Sequence, residues 1–414
     1  MWDASSFLRN HAALKNQQLW VISIASSIRS IGFGSSWPFM AIFFNRQLGI
    51  STILVGFIFT ILALISTAYS FVGGSLSDSI GRKKVILIGS GLGIVIFALI
   101  SMAIIREMPA VIIAELFVFS SVSGSLVFPS ASALVADISK PEHRMESYSI
   151  YRIMANLGWA IGPFVGSFIV GFGMQFIFLL LVIVGLVQFT IVAIFLKEPV
   201  HEKIKRPLIS FSYDRYLVAF SMGTFFITLL WAQFSVTLPL FAVKVGGLKE
   251  QELGYLYAVN GFVVVFGQYP MTYVLRRVND VYVFILGSAF YVAGYLLVGF
   301  MHSFLELYFD MVIITVGENL TTPGMNSVVS KISPAGKTGA YMGFMGMINQ
   351  FGRAMAPSIG PVFLSFFDYY GPYTWTALST FGMASIAIMF MFLAMKGNPI
   401  SRITSTRSLE ECND

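Results

Sequence analysis

The chain has 414 residues, 56% of them hydrophobic and only 11% charged, with a net charge of +6 and a mean hydropathy of +0.79. So few charges cannot cover a water-soluble surface, and most of the chain must face lipid or other helices. A single cysteine, Cys412, excludes internal disulfides and thiolate metal sites.

Twelve apolar stretches follow in order: 17–44, 52–73, 84–104, 109–136, 147–171, 174–196, 216–243, 251–274, 281–301, 304–330, 338–364 and 371–395. Each is long enough to cross about 30 Å of hydrocarbon at about 1.5 Å per helical residue. The polar first sixteen residues lead into a full-length span without a small-residue cleavage site, so no removed signal peptide is expected. Nineteen Lys/Arg fall on the face that holds both termini, four on the other (Arg46, Arg106, Lys244, Lys249) and three inside spans. The positive-inside rule then puts both termini in the cytoplasm of a multi-pass plasma-membrane protein. The same rule explains the net charge without a nucleic-acid partner.

The first span carries Arg29, with Phe33, Trp37 and Pro38 beyond it. A charge at mid-bilayer costs about 2.5–3.5 kcal/mol on insertion scales, so each needs a reason. After the second span the chain reads Gly73-Gly74-Ser75-Leu76-Ser77-Asp78-Ser79-Ile80-Gly81-Arg82-Lys83-Lys84. Small residues let helix ends approach there, and Asp78 can cap a helix or meet a cation. A basic loop obeying the topology rule would explain the lysines alone. The whole string resembles the G-x-x-x-D-x-x-G-R-[KR] signature of the major facilitator superfamily, at the same place in the chain. The resemblance implies two six-helix bundles and assigns Gly74, Asp78, Gly81, Arg82 and Lys83 to a latch between the halves, favouring an outward-facing state.

The fourth span carries Glu115 and Pro129. Drug exporters of that family have an arginine twelve residues before such a proline; here the position is Phe117. Their paired prolines in the first span reduce to Pro38, with Ala41 at the second position. In the fifth span Arg152, Asn156 and Trp159 stand at i, i+4 and i+7, one polar stripe. Gly158, Gly162, Pro163 and Gly166 follow. Glycines four apart permit close helix contact, and proline bends a helix. The pattern is similar to the G-x-x-x-G-P-x-x-G motif of the family's proton-driven antiporters, and implies export.

A polar linker, 198–215, leads to the second half. A shift of 194 positions carries Pro129 onto Pro323, Gly158 onto Gly352, Pro163 onto Pro357, Gly166 onto Gly360 and Arg82 onto Arg276. The domains are therefore 1–197 and 216–396, two pseudo-symmetric six-helix bundles of an all-α integral membrane fold, with a polar tail at 397–414. Such repeats are a common construction of secondary transporters, with the site at the seam. The second copy of the turn motif is degraded, with Thr272 for the acid and Leu275 for a glycine, so the latch belongs to the first half.

Asp310 and Glu318 lie in the tenth span and Arg353 in the eleventh. Depth along the helices pairs Arg29 with Glu115 and Glu318 with Arg353; Asp310, near the span's end, reads as solvated. Binding that draws an arginine from its acid promotes protonation of that acid, which would couple transport to protons. Trp37, Trp159, Trp231 and Tyr341 are candidate cavity aromatics for apolar ligands. A secondary transporter exporting amphipathic drug-like molecules against protons follows, with uptake of a small metabolite, sugar or peptide as the alternative. The chain reads as a monomer whose partners are a small-molecule substrate, protons and lipid. An enzyme is disfavoured: His11, His143, His201 and His302 lie in loops or at span edges, without metal spacing. No phosphate-binding loop occurs, and no cofactor is expected. A transport-dead receptor would need a soluble signalling domain that the chain lacks.

Overall fold

The computed structural model describes residues 15–140, 144–198, 214–275, 278–301, 303–334 and 338–395. The four histidines, Arg276, Arg277, most of the linker and the tail lie outside the described residues, as does the side chain of Thr272. Thirteen α-helices and no strand occur among those described. They are α1 (Gln17–Ile42), α2 (Thr52–Ile80), α3 (Arg82–Ile105), α4 (Ala110–Asp137), α5 (Arg144–Val170), α6 (Met174–Phe195), α7 (Arg215–Trp231), α8 (Thr237–Lys244), α9 (Glu250–Leu275), α10 (Asp280–Val298), α11 (Phe304–Ile332), α12 (Thr338–Phe366) and α13 (Gly371–Ala394).

Local chemistry sets the ends. The Asn16 side chain accepts from the amides of Gln18 and Leu19 and opens α1, while its own amide donates to the Ile138 carbonyl at 2.8 Å. Gly81, at φ 111°, breaks the chain between α2 and α3 in a region that disfavours side chains. The seventh predicted span is broken: α7 ends at Trp231, a 3₁₀ turn covers Ala232–Phe234, and α8 resumes at Thr237.

Among the described residues, eight segments are long and apolar enough to cross a membrane: α2, α3, α4, α5, α6, α7 with α8, α10 and α13. The remaining long helices, α1, α9, α11 and α12, are of comparable length but more polar. Three of those four hold Arg29, Asp310, Glu318 and Arg353.

The chain divides into two compact units, Met1–Ser51 with Ile61–Lys205 and Lys249–Gly261, and Thr52–Thr60 with Arg206–Leu248 and Phe262–Asp414. They do not coincide with the sequence halves, because the starts of α2 and α9 each pack with the opposite half. In the first unit α1 packs on α5 and α6, and α3 on α4 and α6. In the second, α7 packs on α12 and α13, and α10 on α11 and α13. The second list is the first advanced by six predicted spans, so the sequence repeat is a packing repeat.

Small residues make these contacts possible, since lipid tails remove the hydrophobic drive between helices and leave close van der Waals fit. A Cβ on Gly158 would lie 2.3 Å from the Ser27 carbonyl oxygen; one on Gly166, 2.1 Å from that of Ser35; one on Gly162, 2.7 Å from the Gly34 backbone. The α5 backbone therefore rests directly on α1. In the second unit Gly360 plays this part against Gln233 and Thr237, beside the break between α7 and α8. Gln233 bridges that break, donating to the carbonyls of Leu229 and Ala356 and accepting from Thr237.

Candidate functional site

A cavity of about 200 Å³ opens inside the first unit, lined by Phe33, Trp37, Met40, Phe97, Phe117 and Phe178 with Ser36, Ser120 and Ser121. Phe33 meets Phe97 edge-on at 5.8 Å, and Phe97 meets Phe178 at 6.4 Å, so the wall is a connected aromatic surface. Phe117, where the family's drug exporters have arginine, is part of that wall. The cation comes from α1 instead.

Arg29 lies in a separate recess of about 10 Å³, bounded by Phe33, Ser90, Gly93, Phe97, Leu181 and Gln188, of which Phe33, Phe97 and Leu181 also wall the cavity. Its guanidinium sits over the Phe33 ring, 4.6 Å from the centroid, and donates to Gln188 Oε1 at 3.5 Å. Gly124 leaves room for it, since a Cβ there would come within 3.4 Å of Nη2. The expected pairing with Glu115 does not form. Glu115 is exposed on the face of α4 that also exposes Val111 and Phe119, whereas Arg29 is partly buried against α6.

The turn between α2 and α3 is an ion network. Arg82, almost fully buried, meets Asp78 Oδ1 at 2.5 Å and Asp137 Oδ2 at 2.9 Å, and donates to Ser77 Oγ at 2.6 Å. Lys83 donates its ammonium to the Ala193 carbonyl at 2.8 Å and its amide to Glu198 Oε1 at 3.2 Å. Arg82 thus ties the ends of α2 and α4 to the start of α3, and Lys83 ties α3 to the end of α6. Gly74 has open space around it and is not needed for contact. In the second unit the matching corner reverses polarity: Asp280, at the start of α10, pairs with Lys331 near the end of α11 and accepts from Ser327 at 2.6 Å.

The remaining candidates scatter. Arg152, Asn156 and Trp159 are all exposed on α5, as are the apolar Ile153 and Leu157 between them. Arg353 is exposed and donates to Gln350 one turn back on its own helix at 3.0 Å. Glu318, its expected partner, is partly buried on α11. Asp310, expected to be solvated, is 7% exposed, on the α11 face that buries Leu307, Met311 and Ile314. Of the aromatics only Trp37 lines the cavity. Tyr341 is buried and donates to Asp214, the N-cap of α7, at 2.8 Å. Trp231 packs against Leu229, Ala232 and Ala356, and its carbonyl accepts from Tyr295 at 3.1 Å. Gln188, Ser90 and Gly124 were not singled out in the sequence. A glutamine inside a strongly apolar span was the available signal. No group of three or more His, Cys, Asp or Glu with metal-binding geometry occurs among the described residues.

A family model of the Major Facilitator Superfamily matches residues 22–357. The chain is 24% identical over 363 residues to the uncharacterized MFS-type transporter YttB of Bacillus subtilis (strain 168), covering 85% of this chain and 89% of that protein. It is 23% identical over 338 residues to the multidrug resistance protein MdtH of Proteus mirabilis (strain HI4320), covering 78% and 81%. Its backbone also follows the crystal structure of the nucleoside transporter NupG with a TM-score of 0.72 at 14% identity, over 92% of this chain and 100% of that one. That likeness concerns the fold.

Proposed function

The chain belongs to the Major Facilitator Superfamily of membrane transporters, and from that premise we propose that it exports small amphipathic molecules across the plasma membrane. Its two six-helix halves would rock about a central site by alternating access, driven by protons moving the other way. The observation that carries the substrate part of this reading is the aromatic cavity with a cation beside it. Large aromatic walls with a few placed polar groups suit varied apolar ligands. The antiporter-type glycines of α5, Gly158, Gly162 and Gly166, and the relatives called multidrug resistance proteins support the direction.

The proton carriers in this reading are the acids of α11. Asp310 is buried without a cation partner among the described residues, and Glu318 is partly buried eight residues further along. A carboxylate so placed holds charge only at a cost, so exchanging a proton with each cycle relieves it. Both termini lie in the cytoplasm by the charge rule. Proteoliposomes containing a trapped pH-sensitive dye test the reading: adding drug-like solutes to vesicles holding a pH gradient should dissipate it. Asp310→Asn or Glu318→Gln should remove that response while solute binding persists. Solute flux unaffected by a pH gradient in the wild type would refute the coupling.

A further inference from the structure

Arg29 is a guanidinium with five N–H donors in a mostly apolar recess. Among the described residues it has one hydrogen-bond acceptor, Gln188 Oε1, at the 3.5 Å outer limit, plus the Phe33 ring face. No carboxylate lines either the cavity or the recess. Leaving a cation so under-satisfied is expensive, because an unpaired charge away from water forfeits its solvation.

The surroundings are under-satisfied in the complementary sense. Ser90 Oγ and Ser123 Oγ are buried and have no hydrogen-bond partner. Ser90 bounds the same recess as Arg29, and Ser123 Oγ stands 2.5 Å from where a Cβ on Gly93, in that recess, would sit. Gln188, 1% exposed, offers its amide N–H groups there too. Three helices, α1, α3 and α6, thus bring polar groups to one small volume, with Ser123 of α4 packed behind Gly93. That volume shares Phe33, Phe97 and Leu181 with the aromatic chamber as walls, and Gly124, which lines the chamber, lies beside Arg29 Nη2.

We propose that the Arg29 side of the cavity is an anion subsite, and that the transported substrates include amphipathic organic acids. A carboxylate or sulfonate docks on Arg29 from the chamber side, beside Gly124, and its aromatic or branched body fills the chamber walled by Phe97, Phe117 and Phe178. The planar guanidinium suits a two-oxygen acceptor, which binds in a fork. The inference rests on the transporter reading and narrows its substrate class.

The test uses the full-length protein in phosphatidylcholine nanodiscs, with protein-free discs as blanks, and measures equilibrium binding of 2-naphthoate. Its neutral twin, 2-naphthamide, and the cation 2-naphthylmethylammonium are measured alongside. Wild type should bind the acid at least roughly tenfold tighter than the amide, as a charge-assisted bond predicts. Arg29→Gln should erase that preference, and Arg29→Lys should keep part of it. Equal binding of acid and amide, a preference that survives Arg29→Gln, or absence of saturable naphthoate binding overturns the proposal. Failure of the transporter reading looks different, as naphthoate bound through Arg29 but never carried across vesicles. Flux of 2-naphthoate that Arg29→Gln leaves undiminished overturns the anion subsite alone.

Discussion

Replacing Asp137 should damage this protein more than replacing Asp78, although only Asp78 belongs to the turn motif. Arg82 joins both acids, but their surroundings differ: the Asp78 side chain is 58% exposed and that of Asp137 23%. An ion pair with one exposed partner is worth about 0.5 kcal/mol. A charge-assisted hydrogen bond in partial burial contributes roughly 1.5–3 kcal/mol. Asp78→Asn should therefore cost about 0.5 kcal/mol and Asp137→Asn about 2 kcal/mol. Arg82→Ala removes both ion pairs together with the bond to Ser77, for about 3–4 kcal/mol. Reversible unfolding in mixed micelles gives each value, and the Arg82–Asp137 double-mutant cycle gives their coupling. Asp78→Asn equal to or costlier than Asp137→Asn, or an Arg82–Asp137 coupling near zero, would refute the reasoning.

Further outcomes follow from single contacts. Gly166→Ala and Gly158→Ala place a Cβ on the α1 backbone and should destabilise by about 1–3 kcal/mol or more, whereas Gly74→Ala, in open space, should be neutral or slightly stabilising by thermal melt. Exchanging the charges of the second-unit corner, Asp280→Lys with Lys331→Asp, should restore most of what either single change loses. The loss itself should be only about 0.5–1 kcal/mol because Lys331 is largely exposed. Glu115→Gln should leave pH-gradient-driven flux in proteoliposomes intact, since Glu115 does not meet Arg29, while Asp310→Asn should abolish it. Asp78→Asn should slow turnover and retain substrate binding, and equal loss of both would count against a latch.

Eight of the spans were legible because length and apolarity decide them, and the repeat was legible because Gly166 and Gly360 both make close contacts between packed helices. The break between α7 and α8 was not, although Pro239 in the first turn of α8 cannot donate to the Ser235 carbonyl and so stops α7 from running on; side chains of Gln233 and Thr237 hold it. The Arg29–Glu115 pairing failed for a geometric reason. Counting residues from a helix end fixes depth but not azimuth, and Glu115 shares the Val111–Phe119 face instead of the Phe117–Ser120 one. The same gap hid Asp310, near enough to a helix end to read as wet yet turned with Leu307 and Ile314 into the bundle. Gln188 was not legible because a neutral amide in an apolar span carries no charge that marks it as an arginine's partner. By contrast, the motif marks Arg82, and the structure adds the acid outside the motif that grips it, Asp137.

Whether the first-unit cavity opens alternately to each side of the membrane can be measured directly. Ser121 lines that cavity, so Ser121→Cys in a Cys412→Ser background places one thiol there. Membrane-impermeant maleimide should label it from both faces of oriented vesicles, with the ratio of the two rates shifted by a pH gradient. Labelling confined to one face under every gradient would contradict the account.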